Sequence, residues 1–365
     1  MNIGILTFHR AHNYGAMLQA YALRTVLQNA GHQVEFVDYW PHSHQTHYQL
    51  IKPIRGKDLI AKIKNIIFDT LTFTRRFKRI NQFERFAKYY LGVPKQVKYP
   101  QDQPKISDTY DLVVVGSDQI WRNHIIAQHY IGFDSVYFCQ NFTTKMKCIT
   151  YAASMGIINL TSAERSDFTR YLQTFNTLLV RENKLRDLID ECGYQAKVVL
   201  DPTLLLSKKQ WNKLLPSTRF QQRKYVLFYN LLTSEEALMY AKQKAQTMNC
   251  ELLILDSAIQ LLPQKGHISY ASPIDFIHAI RDAEYVIATS FHGTVFSIIF
   301  EKQFQTTGLG KNADRVVTLL NSLGISERYS ESAEVTSAIN YLDVIPRLSE
   351  LRNASLNALY NATIN

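Results

Sequence analysis

The sequence predicts a two-domain α/β protein in which each domain is a doubly wound parallel sheet and a cleft lies between them. Three observations predict it. Apolar strands alternate with helix-patterned segments along most of the chain, the order that builds parallel sheets through helical crossovers. The strands are short runs of Val, Ile and Leu, such as Asp111-Leu-Val-Val-Val-Gly116, as burial on both faces requires. At 365 residues and 46% hydrophobic composition, the chain can bury a large core and is long enough for two domains.

The first domain is expected to cover residues 1–215. It opens with a strand (Asn2–Phe8), a polar turn (Arg10–Tyr14) and a helix (Gly15–Ala30) with Leu18, Tyr21, Ala22 and Val26 at helical spacing. Gly31 sits where a C-cap glycine belongs, and Gln33–Asp38 reads as the second strand. Residues 41–58 read as a loop, and apolar residues at helical rhythm from Asp58 to Tyr90 predict two helices. Further strands are expected at 111–116, 149–154, 176–181 and 196–200, with a helix at 183–192. A polar stretch at 207–223, containing Pro216, marks the domain break.

The second domain, residues 216–345, begins with a strand at 224–230 and a helix at 234–248 capped by Ser234. Strands follow at 251–255 and 284–289, and helices at 272–281, 293–300 and 313–323. Residues 346–365 form a terminal helix placed to pack back on the first domain.

The net charge of +10 is local. Residues 51–105 hold 14 basic and 4 acidic residues, so the other 310 residues are neutral as a group. This basic insert argues for a local surface rather than a nucleic-acid-binding protein: it carries no recognisable nucleic-acid motif, and its aromatics fall on the apolar face. Cys139, Cys148, Cys192 and Cys250 show no paired spacing and fit buried thiols in a reducing compartment. With no signal-peptide pattern and no long apolar span, a cytoplasmic location is expected. Gly308-Leu-Gly310-Lys311-Asn312 lacks the spacing of a phosphate-binding P-loop, and Gly-x-Gly-x-x-Gly is absent.

Ligands of open parallel sheets sit at the carboxyl ends of strands. Five such ends carry polar residues that packing does not demand. They are His9–Gly15, with Asn13, Tyr14 and Gly15; Gly116–Arg122, with Ser117, Asp118 and Trp121; Val180-Arg181-Glu182; Asp201-Pro202-Thr203; and Thr289–Thr294, with Ser290, His292, Gly293 and Thr294. An arginine ending an apolar strand calls for an anionic partner: Glu182, Asp201 or a ligand. Asp201 reads as an orienting group for Arg181, an acid or base, or the start of a turn. The amides of Gly293, Thr294 and Val295 read as an anion site at a helix start.

Six segments in register resemble the polysaccharide pyruvyl transferase family: Asn13-Tyr-Gly-Ala-Met-Leu-Gln-Ala-Tyr-Ala-Leu23, Val115-Gly-Ser-Asp-Gln-Ile-Trp121, Tyr151-Ala-Ala-Ser-Met-Gly156, Val180-Arg-Glu182, Asp201-Pro-Thr-Leu-Leu-Leu206 and Ser290-Phe-His-Gly-Thr-Val-Phe-Ser297. The resemblance implies a GT-B-like fold of two Rossmann-like domains. It implies transfer of the pyruvyl unit of phosphoenolpyruvate to two hydroxyls of a sugar in a surface-polysaccharide precursor, forming a ketal without a further cofactor or metal. It places Arg181 and His292 on the donor, with Ser290, Gly293, Thr294 and Lys311 beside them.

The chemistry then needs an acid to protonate the donor's methylene carbon, and His292 is of the right type. It needs a base for the attacking hydroxyl, Asp118 or Asp201. Asn13, Tyr14, Gly15, Ser117 and Trp121 are expected on the acceptor side, with Tyr14 and Trp121 as stacking platforms. One branch of the family carries arginine where this chain has Ser290, so Lys311, Arg315, Arg122 or Arg10 must supply the second cation. The other reading of the same fold is a nucleotide-sugar-dependent glycosyltransferase. The basic insert is expected to touch anionic membrane through Arg75, Arg76, Lys78 and Arg79, making the protein peripheral at the inner membrane face.

Overall fold

The computed structural model describes residues 1–51, 58–100, 105–126, 129–144, 146–215, 223–262, 264–331 and 335–364. Lys52, Arg55 and Lys57 of the basic insert, and Pro216 at the expected domain break, lie outside the described residues.

The chain folds as two Rossmann-like α/β domains. In the first, four parallel strands run in the order Gln33–Phe36, Asn2–Leu6, Leu112–Val115, Lys147–Thr150. Parallel bridges at Ile149–Thr177 and Ala153–Val180 continue this sheet into the pair Leu178–Val180 and Ala196–Val198. In the second, five parallel strands run His267–Ile268, Glu251–Asp256, Tyr225–Asn230, Tyr285–Ala288, Gln303–Thr306. In each sheet the strand order reverses beside its first strand. That reversal parts the flanking loops and opens a crevice at the strands' carboxyl ends.

The two crevices face each other. Tyr14, from the first domain, stacks on Phe276 of the second at a centroid distance of 5.0 Å and lies 6.0 Å from Tyr229. One apolar core runs from Ile3 and Leu18 through Trp211 to Phe276 and Val295, so the domains share a continuous apolar contact. The terminal helix, Tyr341–Ile364, joins both. Arg347 Nη1 donates to Leu323 O in the second domain, while Arg352 Nε donates to Leu204 O and Ser355 Oγ accepts from Leu200 N in the first.

The helix Ser162–Leu172 and the strand Gln303–Thr306 arise where no element was expected, and four expected elements take a different form. Residues 42–48 form a helix, His42–Tyr48, within the expected loop. The expected two helices are a single 28-residue helix, Leu59–Phe86: Asp58 caps it by accepting from Ala61 N, and no Gly or Pro interrupts it before Gly92 stops the chain in the left-handed region at φ +67°. The helix expected from Gly293 starts at Phe291, because Ser290 is its cap. The terminal helix begins five residues before Pro346, which it carries inside.

The insert helix also inverts the expected placement of its cations. Arg79 Nη1 donates to the carbonyls of Asp256 (3.2 Å) and Ser269 (3.0 Å), and Arg75 Nη2 to Leu261 O (2.7 Å), all in the second domain. Lys78 lies over the Tyr270 ring. Arg76 is buried against Asp69 at 2.7 Å. Of the four residues expected to meet a membrane, Arg75 and Arg79 hold the insert onto the second domain through these carbonyls, Arg76 is paired with Asp69 of its own helix, and Lys78 stays exposed beside Tyr270.

Candidate active site

Parallel strands deliver their C-terminal residues to one edge, and the first domain's strands bring Ser117, Asp118, Ser154, Arg181, Glu182 and Asp201 together there. Asp201 is the hub. Its Oδ2 accepts from Arg181 Nη1 (2.7 Å) and Ser117 Oγ (3.1 Å), and its Oδ1 accepts from Thr203 N (3.0 Å) and Thr203 Oγ1 (2.6 Å). Burial alone would raise its pKa, but the neighbouring His292, Arg181 and Thr203 outweigh that and hold the carboxyl well below the usual carboxylate range. With both oxygens engaged, Asp201 holds Arg181, Ser117 and Thr203 in fixed positions around it.

Arg181 is buried, and among the described residues only its Nη1 finds a hydrogen-bond partner. Its Nη2 stands 3.7 Å from Asp118 Oδ1 and its Nε 3.9 Å from Glu182 Oε2, both beyond hydrogen-bond reach. Glu182 spends Oε1 on Ser154 Oγ (2.8 Å) and Met155 N (3.2 Å); burial, against Arg181 and Arg315, pushes its pKa up. Asp118 sits at φ +78°, a region a non-glycine residue seldom occupies. Its side chain keeps 16% exposure, which leaves it the carboxylate in this group with access to solvent or substrate.

His292 arrives from the second domain on the first turn of the helix Phe291–Ile299. Its Nε2 lies 3.7 Å from Asp201 Oδ2 and has no hydrogen-bond partner among the described residues. The imidazole packs directly on Gly15, where a Cβ would fall 1.9 Å from His292 Nδ1. Gly15, expected on the acceptor side, makes room for this histidine.

Of the cations proposed to compensate for Ser290, the structure brings Arg315 to the site. Its guanidinium lies over the Phe291 ring at 5.6 Å, as does that of Arg181 at 4.8 Å. With the Gln119 amide oriented to satisfy both groups, its oxygen accepts from Arg315 Nη2 at 2.8 Å. Burial, then repulsion from Arg181, lowers the Arg315 pKa to about 10, so it stays charged at neutral pH. Arg181, Asp201, Phe291 and Arg315 line one cavity of about 450 Å³. Lys311 is exposed on the turn Gly310–Asn312 and does not line this cavity. Arg122 is exposed, and Arg10 is committed to Asp38 at 2.5 Å in a separate cluster with His9.

Several expected site residues turn out to build the scaffold. Ser290 Oγ accepts from Gly293 N (2.9 Å), and Thr294 N is bonded to Ser290 O, so these helix-start amides are not open to an anion. Gly293 is required by packing, since a Cβ there would lie 2.7 Å from Ala288 Cβ. Thr294 Oγ1 is buried and bonded to Ser290 O and Thr306 Oγ1. Asn13 caps the helix Tyr14–Asn29 by accepting from Ala16 N. Tyr14 cannot serve as an open platform, because Phe276 and Phe83 stack on its ring.

Trp121 is further from its expected role. It is fully buried, stacked on Phe138 at 5.2 Å, and its indole N–H donates to Tyr137 O. Its place is the first domain's core, so Trp121→Ala is expected to cost about 3–5 kcal/mol of stability. Trp121→Phe should leave the KM for any acceptor unchanged. Denaturant unfolding and acceptor titrations check the pair.

A second cavity, of about 460 Å³, adjoins the site through Asn13 and Tyr14. Its walls come from His12, Tyr48 and Arg79 on one side and Tyr229 and Ser257 on the other. Burial, then Arg79 and His47, lowers the His12 pKa to about 3, so this imidazole is neutral at physiological pH. His12 belongs to the strand end His9–Gly15 singled out in the sequence, whereas Tyr48 went unnoticed because residues 41–58 read there as a loop.

Fold and site define a two-domain α/β protein with a cation-bearing polar site in the interdomain cleft. The chain belongs to the polysaccharide pyruvyl transferase family, a transferase family of polysaccharide synthesis: the family model matches residues 13–304, a span that includes Arg181, Asp201 and His292 and leaves Arg315 outside. No curated protein matches the sequence. Among solved structures, the chain is similar to the UDP-GlcNAc 2-epimerase from Neisseria meningitidis bound to UDP-GlcNAc (10% identity, 99% of this chain and 94% of that one, TM-score 0.45). It is also similar to the Streptomyces sp. SF2575 glycosyltransferase complexed with thymidine diphosphate (11%, 99% and 99%, TM-score 0.44). A third is the UDP-N-acetylglucosamine 2-epimerase from Rickettsia bellii (9%, 99% and 96%, TM-score 0.45).

Proposed function

We propose that the protein transfers the pyruvyl unit of phosphoenolpyruvate to two hydroxyls of one sugar, releasing inorganic phosphate and forming a cyclic ketal. The observation that carries this reading is a set of three buried nitrogens that find no hydrogen-bond acceptor among the described residues: Arg181 Nε, Arg181 Nη2 and His292 Nε2, near Asp201, Asp118 and Glu182. Buried polar atoms are normally paired, so such a set points to an anionic ligand that completes them. Arg181 and Arg315 supply two positive charges for the donor's carboxylate and phosphate. His292 delivers a proton to the methylene carbon, and the cation so formed takes a sugar hydroxyl, whose proton passes to Asp118. Loss of phosphate and attack by the second hydroxyl close the ketal. The two hydroxyl protons balance the one gained by the new methyl group and the one that leaves with phosphate. The 460 Å³ cavity beside Tyr14 is placed to hold the acceptor, with aromatic walls and the neutral His12 as hydrogen-bonding group.

A nucleotide-sugar donor is the weaker reading, because the amides of Gly293 and Thr294, suited to a diphosphate, are already bonded to Ser290. Saturating phosphoenolpyruvate is expected to raise Tm by about 2–5 °C, with nucleotide sugars giving no shift. The reverse pattern would overturn the proposal in favour of a glycosyltransferase.

A further inference from the structure

The first two-thirds of the insert helix turns its apolar side outward. Leu59, Ile63, Ile66, Phe73 and Phe77 recur at helical spacing, with Ile60, Ile67 and Leu71 beside them, and each is 44–71% exposed. The opposite side of the same helix carries the buried Thr72, Arg76 and Phe83. A surface helix of a soluble domain normally shows the reverse pattern. Lys62 and Lys64, both exposed, fall at the two margins of the apolar stripe. Exposed Leu261 and Leu262 adjoin it, since Leu261 O accepts from Arg75 Nη2. Between the capping Asp58 and Glu84, the only acidic residue is Asp69, and it is turned to Arg76.

We infer that this face docks on a lipid bilayer containing anionic lipid, with the helix lying in the plane of the interface. An apolar stripe bordered by lysines is what an interfacial helix requires: the side chains enter the acyl boundary while the lysine stems reach back to the headgroups. Anionic lipid complements the charge of the patch, whereas a second copy of the chain would bring lysine against lysine. Arg75, Arg76 and Arg79 are engaged within the protein and lie outside this surface, whereas Lys78 is exposed on the same side of the helix as Ile60. Because Phe68, Arg76 and Arg79 of this helix also line the 460 Å³ cavity, docking holds that cavity about one helix diameter, ~10 Å, from the lipid.

Flotation with vesicles tests this. Wild-type protein is expected to float with phosphatidylcholine vesicles containing roughly one-third phosphatidylglycerol, and far less with phosphatidylcholine alone. Ile63→Glu/Ile67→Glu should lose at least about tenfold in bound fraction, with an unchanged thermal melt, because both side chains are exposed. Lys62→Ser/Lys64→Ser should abolish most of the preference for anionic vesicles. Failure of the wild type to float, or unimpaired flotation of the double glutamate variant, overturns the inference. So does a dimer, seen by light scattering, that the glutamate substitutions dissociate without any effect on vesicles.

Discussion

Arg181→Lys is expected to lower kcat/KM for phosphoenolpyruvate by roughly 10²–10³-fold, measured as acceptor-dependent phosphate release, while the protein stays folded. Lysine keeps a positive charge beside the buried Asp201, so no uncompensated carboxylate is left in the interior. Arg181→Ala would leave one, at a cost of about 3–5 kcal/mol, and would confuse stability with catalysis. What lysine cannot supply is the fork. Arg181 spends Nη1 on Asp201 at 2.7 Å and has Nε and Nη2 to give. Two charge-assisted hydrogen bonds to a donor anion are each worth about 1.5–3 kcal/mol. A variant with wild-type kcat/KM would show that the two nitrogens serve no substrate. A variant that lost activity only in step with its Tm would reduce Arg181 to a structural ion pair.

The sequence showed the fold and the strand ends clearly, because both depend on local pattern. Parallel strands buried on two faces are near-continuous apolar runs, and the first polar residue after each run marks the edge where ligands bind. Arg181, Asp201 and His292 stand out for that reason. Their mutual arrangement is not local. Ser117 meets Asp201 across 84 residues, and Arg315 enters the site from beyond the last strand of the second sheet. Among Lys311, Arg315, Arg122 and Arg10, sequence offered no ground for choosing Arg315.

The errors share a cause. A polar loop followed by Trp121 suggested an exposed ring, but the side chain that follows a turn can point either way, and here it fills the core beside Phe138 and Phe168. Helical rhythm in the insert correctly marked an amphipathic helix, yet periodicity cannot say which side faces the protein. The usual assumption puts the apolar side inward. Here Arg76 and Arg79 find carboxylate and carbonyl acceptors on the protein side, and the isoleucines are left outside. At Ser290 and Gly293 the sequence pattern of a helix start was right, but the cap itself consumes the amides that made it look like an anion site.

Gly15→Ala is expected to abolish activity through a residue that has no functional group. Gly15 lies in the first turn of the helix Tyr14–Asn29, where alanine would ordinarily be favoured by about 1 kcal/mol. The added Cβ, however, would lie 1.9 Å from Nδ1 and 2.3 Å from Cγ of His292, so the imidazole must leave its position near Asp201 or the two domains must separate. Either movement removes the proposed proton donor from the donor carbon, and phosphate release should fall by about 10²–10⁴-fold, the usual worth of a positioned acid. The double mutant separates this from general damage. With His292→Ala the obstructing ring is gone, so Gly15→Ala/His292→Ala should be no less active than His292→Ala alone and should melt higher than Gly15→Ala alone. Strong non-additivity is the signature of two groups competing for one space. Additive losses would mean that residues 15 and 292 do not touch in the working enzyme, and near-normal activity in Gly15→Ala would remove His292 from the proton-transfer step.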